Sequence, residues 1–265
     1  MSGSTRQPNP PNTGTPELSV VIPAFNSERV LESTVRSFAE HFAGRDVEII
    51  VVQNGSTDST VRVCRALADE WTDPTVSFTC LNSAKGMGNA LRAGALASRG
   101  DRVLLTADDL PFGFGDIDAA DRLEREWGQL PPVIIGSKAH PESVVDRGPL
   151  RSAMTTGFGT LRRALLGTRT GDPQGTFVVD GTLLRSLADR LSEPGFLFTT
   201  ELTYALELSG IEPVEVPVRL NDDHRAHPSR IALTDVVRMA WGLLSLRRRR
   251  QGLGGASVNL SGTAG

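Results

Sequence analysis

Val47-Glu48-Ile49-Ile50-Val51-Val52 decides the fold. The run is too uniformly apolar for a strand with one face in water, so it predicts a strand of a parallel sheet covered by helices on both faces. Before it, Leu18-Ser19-Val20-Val21-Ile22 is a second short apolar run, ending at Pro23. Between the two, Leu31, Val35, Phe38 and Phe42 recur at helical spacing, with Ser27 as a candidate cap. After it, Asn54-Gly55-Ser56-Thr57-Asp58 is a turn that delivers Asp58 as the cap of a further helix. Strand-like Thr75 to Cys80, a glycine-rich helix start at Lys85 and the strand Arg102 to Leu105 continue the alternation. The expectation is an open α/β, mostly parallel sheet with ligands at the carboxyl ends of its strands.

Beyond Asp109 the alternation is less regular. Val133 to Ile135 reads as a strand ending at Gly136-Ser137-Lys138, and a basic helix follows Pro149 through Arg151, Arg162 and Arg163. Thr176 to Val179 reads as a strand, Glu201 to Leu208 as a helix, and Ile211 to Val218 as a strand. A last helix, Ile231 to Leu246, runs into Arg247 to Arg250. Residues 1–16 are rich in Ser, Pro, Asn and Gly and residues 251–265 in Ser and Gly, and both are expected to be disordered, the first without the apolar core of a signal peptide. Residues 17–230 then form one domain, and 231–250 a separate basic helix.

The composition, 39% apolar and 22% charged with a net charge of −3, is that of a soluble protein and gives no footprint for nucleic acid. No apolar run approaches the roughly 20 residues that cross a bilayer. Cys64 and Cys80 have no metal-ligand spacing and read as reduced, packed thiols of a cytoplasmic protein.

Chemistry concentrates at the strand ends. Asp108 and Asp109 follow the apolar strand Arg102 to Leu105, placing two hard oxygen ligands at the sheet rim, which suits Mg²⁺ or Mn²⁺. In isolation such a pair is better read as an acidic turn or helix cap after a strand. Lys85-Gly86-Met87-Gly88 joins a cation to glycines at a helix start, where free N–H groups favour phosphate, although the glycines alone can also relieve crowding. A cation, amides and a metal held by acids together suit a nucleoside diphosphate.

The segments Val20 to Glu28, Val51 to Thr60, Lys85 to Gly94 and Asp108-Asp109-Leu110 resemble, in this order, family 2 glycosyltransferases of GT-A (Rossmann-related) fold. Gly136-Ser137-Lys138, Asp172-Pro173-Gln174-Gly175-Thr176-Phe177, Glu212 to Val218 and Ser229-Arg230 are similar to motifs of the branch that makes dolichyl- or polyprenyl-phosphate sugars. The resemblance implies a nucleotide diphosphate-sugar donor held by Pro23, Ala24, Phe25, Glu28, Gln53 and Asn54. It implies Lys85 at the diphosphate and a metal on Asp108 and Asp109. For the acceptor, a polyprenyl phosphate, it implies Lys138, Arg151 and Arg230, with Asp172, Gln174 and Glu201 orienting the sugar. His227 or His224 is a further candidate metal ligand, against the reading of a solvated loop.

Two departures stand out. The branch has Asp-Asp-Gly-Ser where this chain has Gln53-Asn54-Gly55-Ser56, and Asp-Ala-Asp-Leu where it has Ala107-Asp108-Asp109-Leu110. A soluble glycosyltransferase with a small-molecule or protein acceptor, and a non-catalytic relative, therefore stay open. Residues 219–250 hold eight Arg against three Asp, and Trp241 precedes the final arginines. That pattern fits either an interfacial helix on anionic lipid, peripheral at the inner face of the cytoplasmic membrane, or a core-packed helix with a basic end.

Overall fold

The structure, a computed structural model, describes residues 14–145, 148–220 and 233–254, and the side chains of 148–154 and 233–238 are not among those described. Of the expected disordered ends, 1–16 and 251–265, the parts 1–13 and 255–265 lie outside the described residues, as do the loop with His224, His227 and Arg230 and the Arg151 side chain.

The strands are β1 (Leu18–Ala24), β2 (Val47–Gln53), β3 (Val76–Asn82), β4 (Arg102–Leu105), β5 (Val133–Ser137), β6 (Thr176–Asp180) and β7 (Val214–Pro217). They form one sheet in the order β3-β2-β1-β4-β6-β5-β7. The helices are α1 (Leu31–His41), α2 (Thr60–Glu70), α3 (Met87–Ala97), α4 (Gly115–Trp127), α5 (Gly148–Leu166), α6 (Gly181–Ala188), α7 (Phe198–Leu208), α8 (Leu233–Arg248) and α9 (Arg250–Leu253).

Both faces of the sheet are covered, as the apolar run of β2 requires. Val20, Ile22, Ile49 and Val51 pack against Leu31, Val35, Phe38 and Phe42 of the α1 segment and against Cys64 and Leu67 of α2. The alternate residues Val21, Ile50, Val52, Val103 and Leu105 pack against α3, α6 and α7. Gly94 lets α3 approach β1 closely, because a Cβ there would lie 2.3 Å from Val21 Cγ1. The acid within β2, Glu48, is buried and satisfied: it accepts from the Ser19 hydroxyl (2.6 Å) and from the Arg99 N–H (2.6 Å) and Nε (3.0 Å).

Strand β6 runs antiparallel between β4 and β5, a reversal that the alternating pattern does not announce. Its consequence is functional. An antiparallel strand begins where its parallel neighbours end, so the segment before β6, Asp172 to Gly175, arrives at the carboxyl edge beside Ser137 and Lys138.

Three local expectations are corrected. Ser27 is not the cap of α1, which is Val30; its carbonyl accepts from the Val30 and Leu31 N–H groups at 3.1 and 3.0 Å, while its hydroxyl turns to Asp108. Cys64 and Cys80 are not two reduced thiols but a disulfide between α2 and β3. The helix packs on the edge strand with the two Cα atoms 6.0 Å apart, inside the span a disulfide bridges. The inference of compartment drawn from free thiols falls with it. The C-terminal helix continues past Leu246: α9 carries the chain to Leu253, which is buried in the main core with Leu243 and Leu246. One face of this helix is therefore core-packed, while Trp241 on another is 65% exposed.

Candidate active site

The strand order reverses between β1, whose chain proceeds to β2, and β4 on its other side, and a crevice at such a point is where open α/β sheets bind ligands. The loops after β1 and β4 line it. The Ser27 hydroxyl donates to Asp108 Oδ2, and Thr34 Oγ1 donates to the Asp108 carbonyl at 2.7 Å. Asn26 (φ 55°) and Leu110 (φ 47°), non-glycine residues in the left-handed region, flank this contact, one in each loop. Strain of this kind persists where surrounding structure over-determines the backbone. Asp109 is exposed beside Asp108.

Among the described residues no group of three His, Cys, Asp or Glu gathers around the acid pair. Mg²⁺ and Mn²⁺ fit such a site, because they bind through one or two carboxylates and complete their shell with water and substrate phosphates.

The β2 end shows why amides can stand where the resembling branch has acids. Gln53 Oε1 accepts from the Gly55 and Ser56 N–H groups at 3.1 and 3.2 Å, as a carboxylate would. Its Nε2 donates to Asn82 Oδ1 at 2.7 Å, which a carboxylate could not do. Asn54, expected among the donor-holding residues, is 3% exposed and braces protein. Its Nδ2 donates to the Ala24 carbonyl (3.0 Å) and its Oδ1 accepts from the Gly86 N–H (3.2 Å). Pro23 and Ala24 are buried strand residues, and Phe25 is 40% exposed at the crevice. Glu28 accepts from the Ser59 N–H at 2.8 Å, joining its loop to the start of α2. Lys85 Nζ lies 5.0 Å from the Phe25 ring centroid, so the cation sits over the face of the crevice aromatic.

The helix start after Lys85 is not an open anion site. The Pro194 carbonyl accepts from the Gly88 and Asn89 N–H groups at 2.9 and 3.2 Å. A Cβ on Gly86 would lie 2.2 Å from the Pro194 oxygen, and one on Gly88 2.1 Å from the Glu193 oxygen. These glycines admit a loop from about a hundred residues on, and the cation remains the diphosphate candidate there.

A second cluster sits at the end of β5. The Lys138 N–H donates to Asp172 Oδ2 (2.9 Å), and Lys138 Nζ donates to the Gln174 carbonyl (2.7 Å) and lies 3.2 Å from Asp172 Oδ2. The same Nζ is 5.4 Å from the Phe112 ring centroid, and Phe112 belongs to the loop that carries Asp108 and Asp109. With β6 between them, β4 and β5 lie about 10 Å apart, a span that one small substrate bridges.

Sequence reading missed what supports this cluster. Arg162, read on a basic helix, is fully buried, and its Nη2 donates to the carbonyls of Thr170 and Gly171. Burial lowers the pKa of this guanidinium from its ordinary value, while Glu207, Glu215 and Asp172 oppose that shift. Glu207 accepts from the Arg169 and Thr170 N–H groups, and Glu215 from that of Gly171. Asp116 of α4 is buried under the same edge and accepts from the Thr176 hydroxyl. Glu201, expected at the sugar, is fully buried and accepts from the Ser192 and Glu193 N–H groups at 2.9 and 2.8 Å. It also pairs with Arg249 at 2.6 Å, which makes it a brace beneath the site.

The chain matches the family model described as glycosyl transferase family 2 over residues 19–172. It is 30% identical over 223 residues to the dolichyl-phosphate beta-glucosyltransferase of Homo sapiens, covering 77% of this chain and 67% of that one. Against the protein of the same name from Saccharomyces cerevisiae the identity is 30% over 250 residues, covering 87% and 74%. Among solved structures, glucosyl-3-phosphoglycerate synthase from Mycobacterium tuberculosis in complex with uridine diphosphate aligns with a TM-score of 0.61 at 22% identity, covering 89% and 80%. The same enzyme with Mn²⁺, uridine diphosphate and glucosyl-3-phosphoglycerate aligns with a TM-score of 0.61 at 21% identity. At that identity the likeness is one of fold.

Proposed function

The chain belongs to glycosyl transferase family 2, and on that premise we propose that it moves a sugar, glucose first among the candidates, from a nucleotide diphosphate-sugar to a dolichyl- or polyprenyl-type phosphate. The names of the human and yeast relatives support a glucosyl group and a dolichyl-phosphate acceptor. The observation that carries it is the position of Lys138 Nζ, between the Asp172 carboxylate and the Phe112 ring. A candidate acceptor-phosphate cation at one strand end thereby touches the loop that carries the acid pair at another.

The donor lies in the crevice between β1 and β4, with Phe25 and Gln53 toward the nucleoside and Lys85 toward the diphosphate. Asp108 and Asp109 would hold Mg²⁺ or Mn²⁺. When bound, the ion supplies positive charge where negative charge develops on the departing diphosphate. Lys138, with Arg151 and Arg230 as further candidates, holds the acceptor phosphate, and Asp172 and Gln174 aim Lys138. The phosphate oxygen is already ionised, so positioning and charge matter more than a strong base. Its attack forms a new bond to the anomeric carbon as the bond to the diphosphate oxygen breaks. Nucleoside diphosphate leaves, and configuration inverts.

A lipid acceptor brings the enzyme to a membrane surface, and no helix of the described residues is long and apolar enough to span one. Exposed Phe196 (72%) and Trp241 (65%) support contact with lipid there. Peripheral attachment at the cytoplasmic face is the location this reading implies.

Calorimetric titration with UDP-, GDP- and dTDP-sugars, with and without Mn²⁺, tests the donor half. Metal-dependent binding of one of them is expected, and silence across the panel from folded protein overturns the reading. Dolichyl phosphate and 3-phosphoglycerate as parallel acceptors then separate a lipid acceptor from a soluble one.

A further inference from the structure

The arginine run at the end of α8 contains a residue that faces the protein. Arg249 is 31% exposed in its side chain, and its Nη1 donates to Glu201 Oε1 (2.6 Å) and to the Ser192 hydroxyl. Its Nη2 donates to Glu193 Oε1 at 2.7 Å. One planar guanidinium thus joins two adjacent carboxylates, Glu193 with a 16% exposed side chain and Glu201 with none exposed. Those residues belong to, or hold, the segment Ser192 to Gly195 whose Pro194 carbonyl seats the start of α3. From there, Asn89 Nδ2 donates to the Lys85 carbonyl at 3.0 Å, and the Gly86 N–H reaches Asn54. A second tether lies nearby: a Cβ on Gly242 of α8 would fall 2.1 Å from Leu197 Cδ1, so helix and loop touch.

We propose that Arg249 is a positioning residue for donor binding, clamping the Ser192–Gly195 loop onto the start of α3 and thereby fixing Lys85 in the crevice. The inference rests on the reading of that crevice as the donor site and adds a role for the C-terminal helix that is independent of lipid. Its physical cause is the pair of acids. Without the guanidinium, two carboxylates face each other in a poorly solvated place, and the uncompensated charge drives the loop outward. Burial and the neighbouring Glu201 already push the Glu193 carboxyl upward from its ordinary value, and Arg249 opposes them. Once the loop lifts, the Gly88 and Asn89 N–H groups lose their acceptor and the backbone that carries Lys85 loses its seat.

The test compares wild type, Arg249→Met and Arg249→Lys in the absence of lipid, by amide hydrogen exchange and by titration with UDP and Mn²⁺. In Arg249→Met, exchange at Gly88 and Asn89 is expected to accelerate about tenfold or more with β1 and β2 unchanged. UDP affinity is expected to fall by about tenfold as the cation loses its place. Arg249→Lys restores the greater part of both. Wild-type protection at Gly88 and Asn89 in Arg249→Met overturns the proposal. So does faster exchange with undiminished UDP affinity, or equal acceleration in β1 and β2, which would make Arg249 a general stabiliser. Wild type that binds none of the UDP, GDP and dTDP nucleotides with Mn²⁺ overturns the donor reading and the inference together. Wild-type binding that Arg249→Met retains overturns the inference alone.

Discussion

The Ser27 hydroxyl donates to Asp108 Oδ2, tying the loop after β1 to the loop after β4 across a sequence separation of 81 residues. The bond holds one acid of the pair in a fixed direction, and on the proposed reading the donor phosphates would meet a formed site there. Ser27→Ala is expected to weaken Mn²⁺-dependent donor binding by about tenfold, from the loss of roughly 1.5 kcal/mol for a hydrogen bond to a charged group. Thermal melting should change little. Calorimetry on the variant checks this, and unchanged affinity would remove the bond from the site.

Gly88 is under a steric demand that no side chain meets. A Cβ would lie 2.1 Å from the Glu193 oxygen and 2.8 Å from Phe198 Cβ. Gly88→Ala must displace the loop backbone, at about 1–3 kcal/mol. A lowered melting temperature together with weaker nucleotide binding is the expected result. A variant as stable as wild type would mean that the loop does not sit on α3.

Asp116 gives the protein a pH dependence of known sign. Burial raises its pKa above the ordinary carboxylate value, opposed by hydrogen bonds from Thr176 and the Ile117 N–H. The native state therefore holds a proton that the unfolded chain releases near the ordinary Asp value of about 3.9. Stability from this group is full below that value and is lost as pH rises through the raised native one. Asp116→Asn cannot ionise, so its unfolding free energy relative to wild type should improve from pH 4 toward neutrality. Urea titrations at the two pH values measure the difference, and a constant offset would contradict the assignment.

The Cys64–Cys80 disulfide closes a loop of 16 residues' separation. Loop-closure entropy assigns such a cross-link about 3 kcal/mol. Reductant should shift the urea midpoint downward, and thiol labelling of the untreated protein should find no reactive cysteine. Ready labelling without reductant would restore the two free thiols that the sequence suggests.

Much of the sheet was legible because burial leaves a local mark. The apolar run of β2, the helical spacing from Leu31 to Phe42 and the acid pair closing β4 each lie within a few residues of what they determine. What was not legible is carried by distant partners. The reversal of β6 depends on which edge the chain re-enters, and nothing in Thr176 to Val179 records that. The helix start after Lys85 reads as a phosphate cradle because Pro194, the acceptor of the Gly88 and Asn89 N–H groups, lies more than a hundred residues away. Arg162 and Arg249 look like surface charge until folding sets carbonyls against one and carboxylates against the other. Asn54 read as a donor contact for the same reason, since its partners at Ala24 and Gly86 meet only in the folded sheet.

The most direct measurement is product formation. Purified protein would be incubated with Mn²⁺, dolichyl phosphate in detergent micelles and each nucleotide sugar, and the lipid fraction analysed by mass spectrometry, with Asp109→Ala alongside. The account predicts one hexosyl dolichyl phosphate from wild type, with the matching nucleoside diphosphate released in equal amount, and at least about a hundredfold less from Asp109→Ala. Donor consumed without any glycolipid, or glycolipid formed equally well by Asp109→Ala, would contradict it.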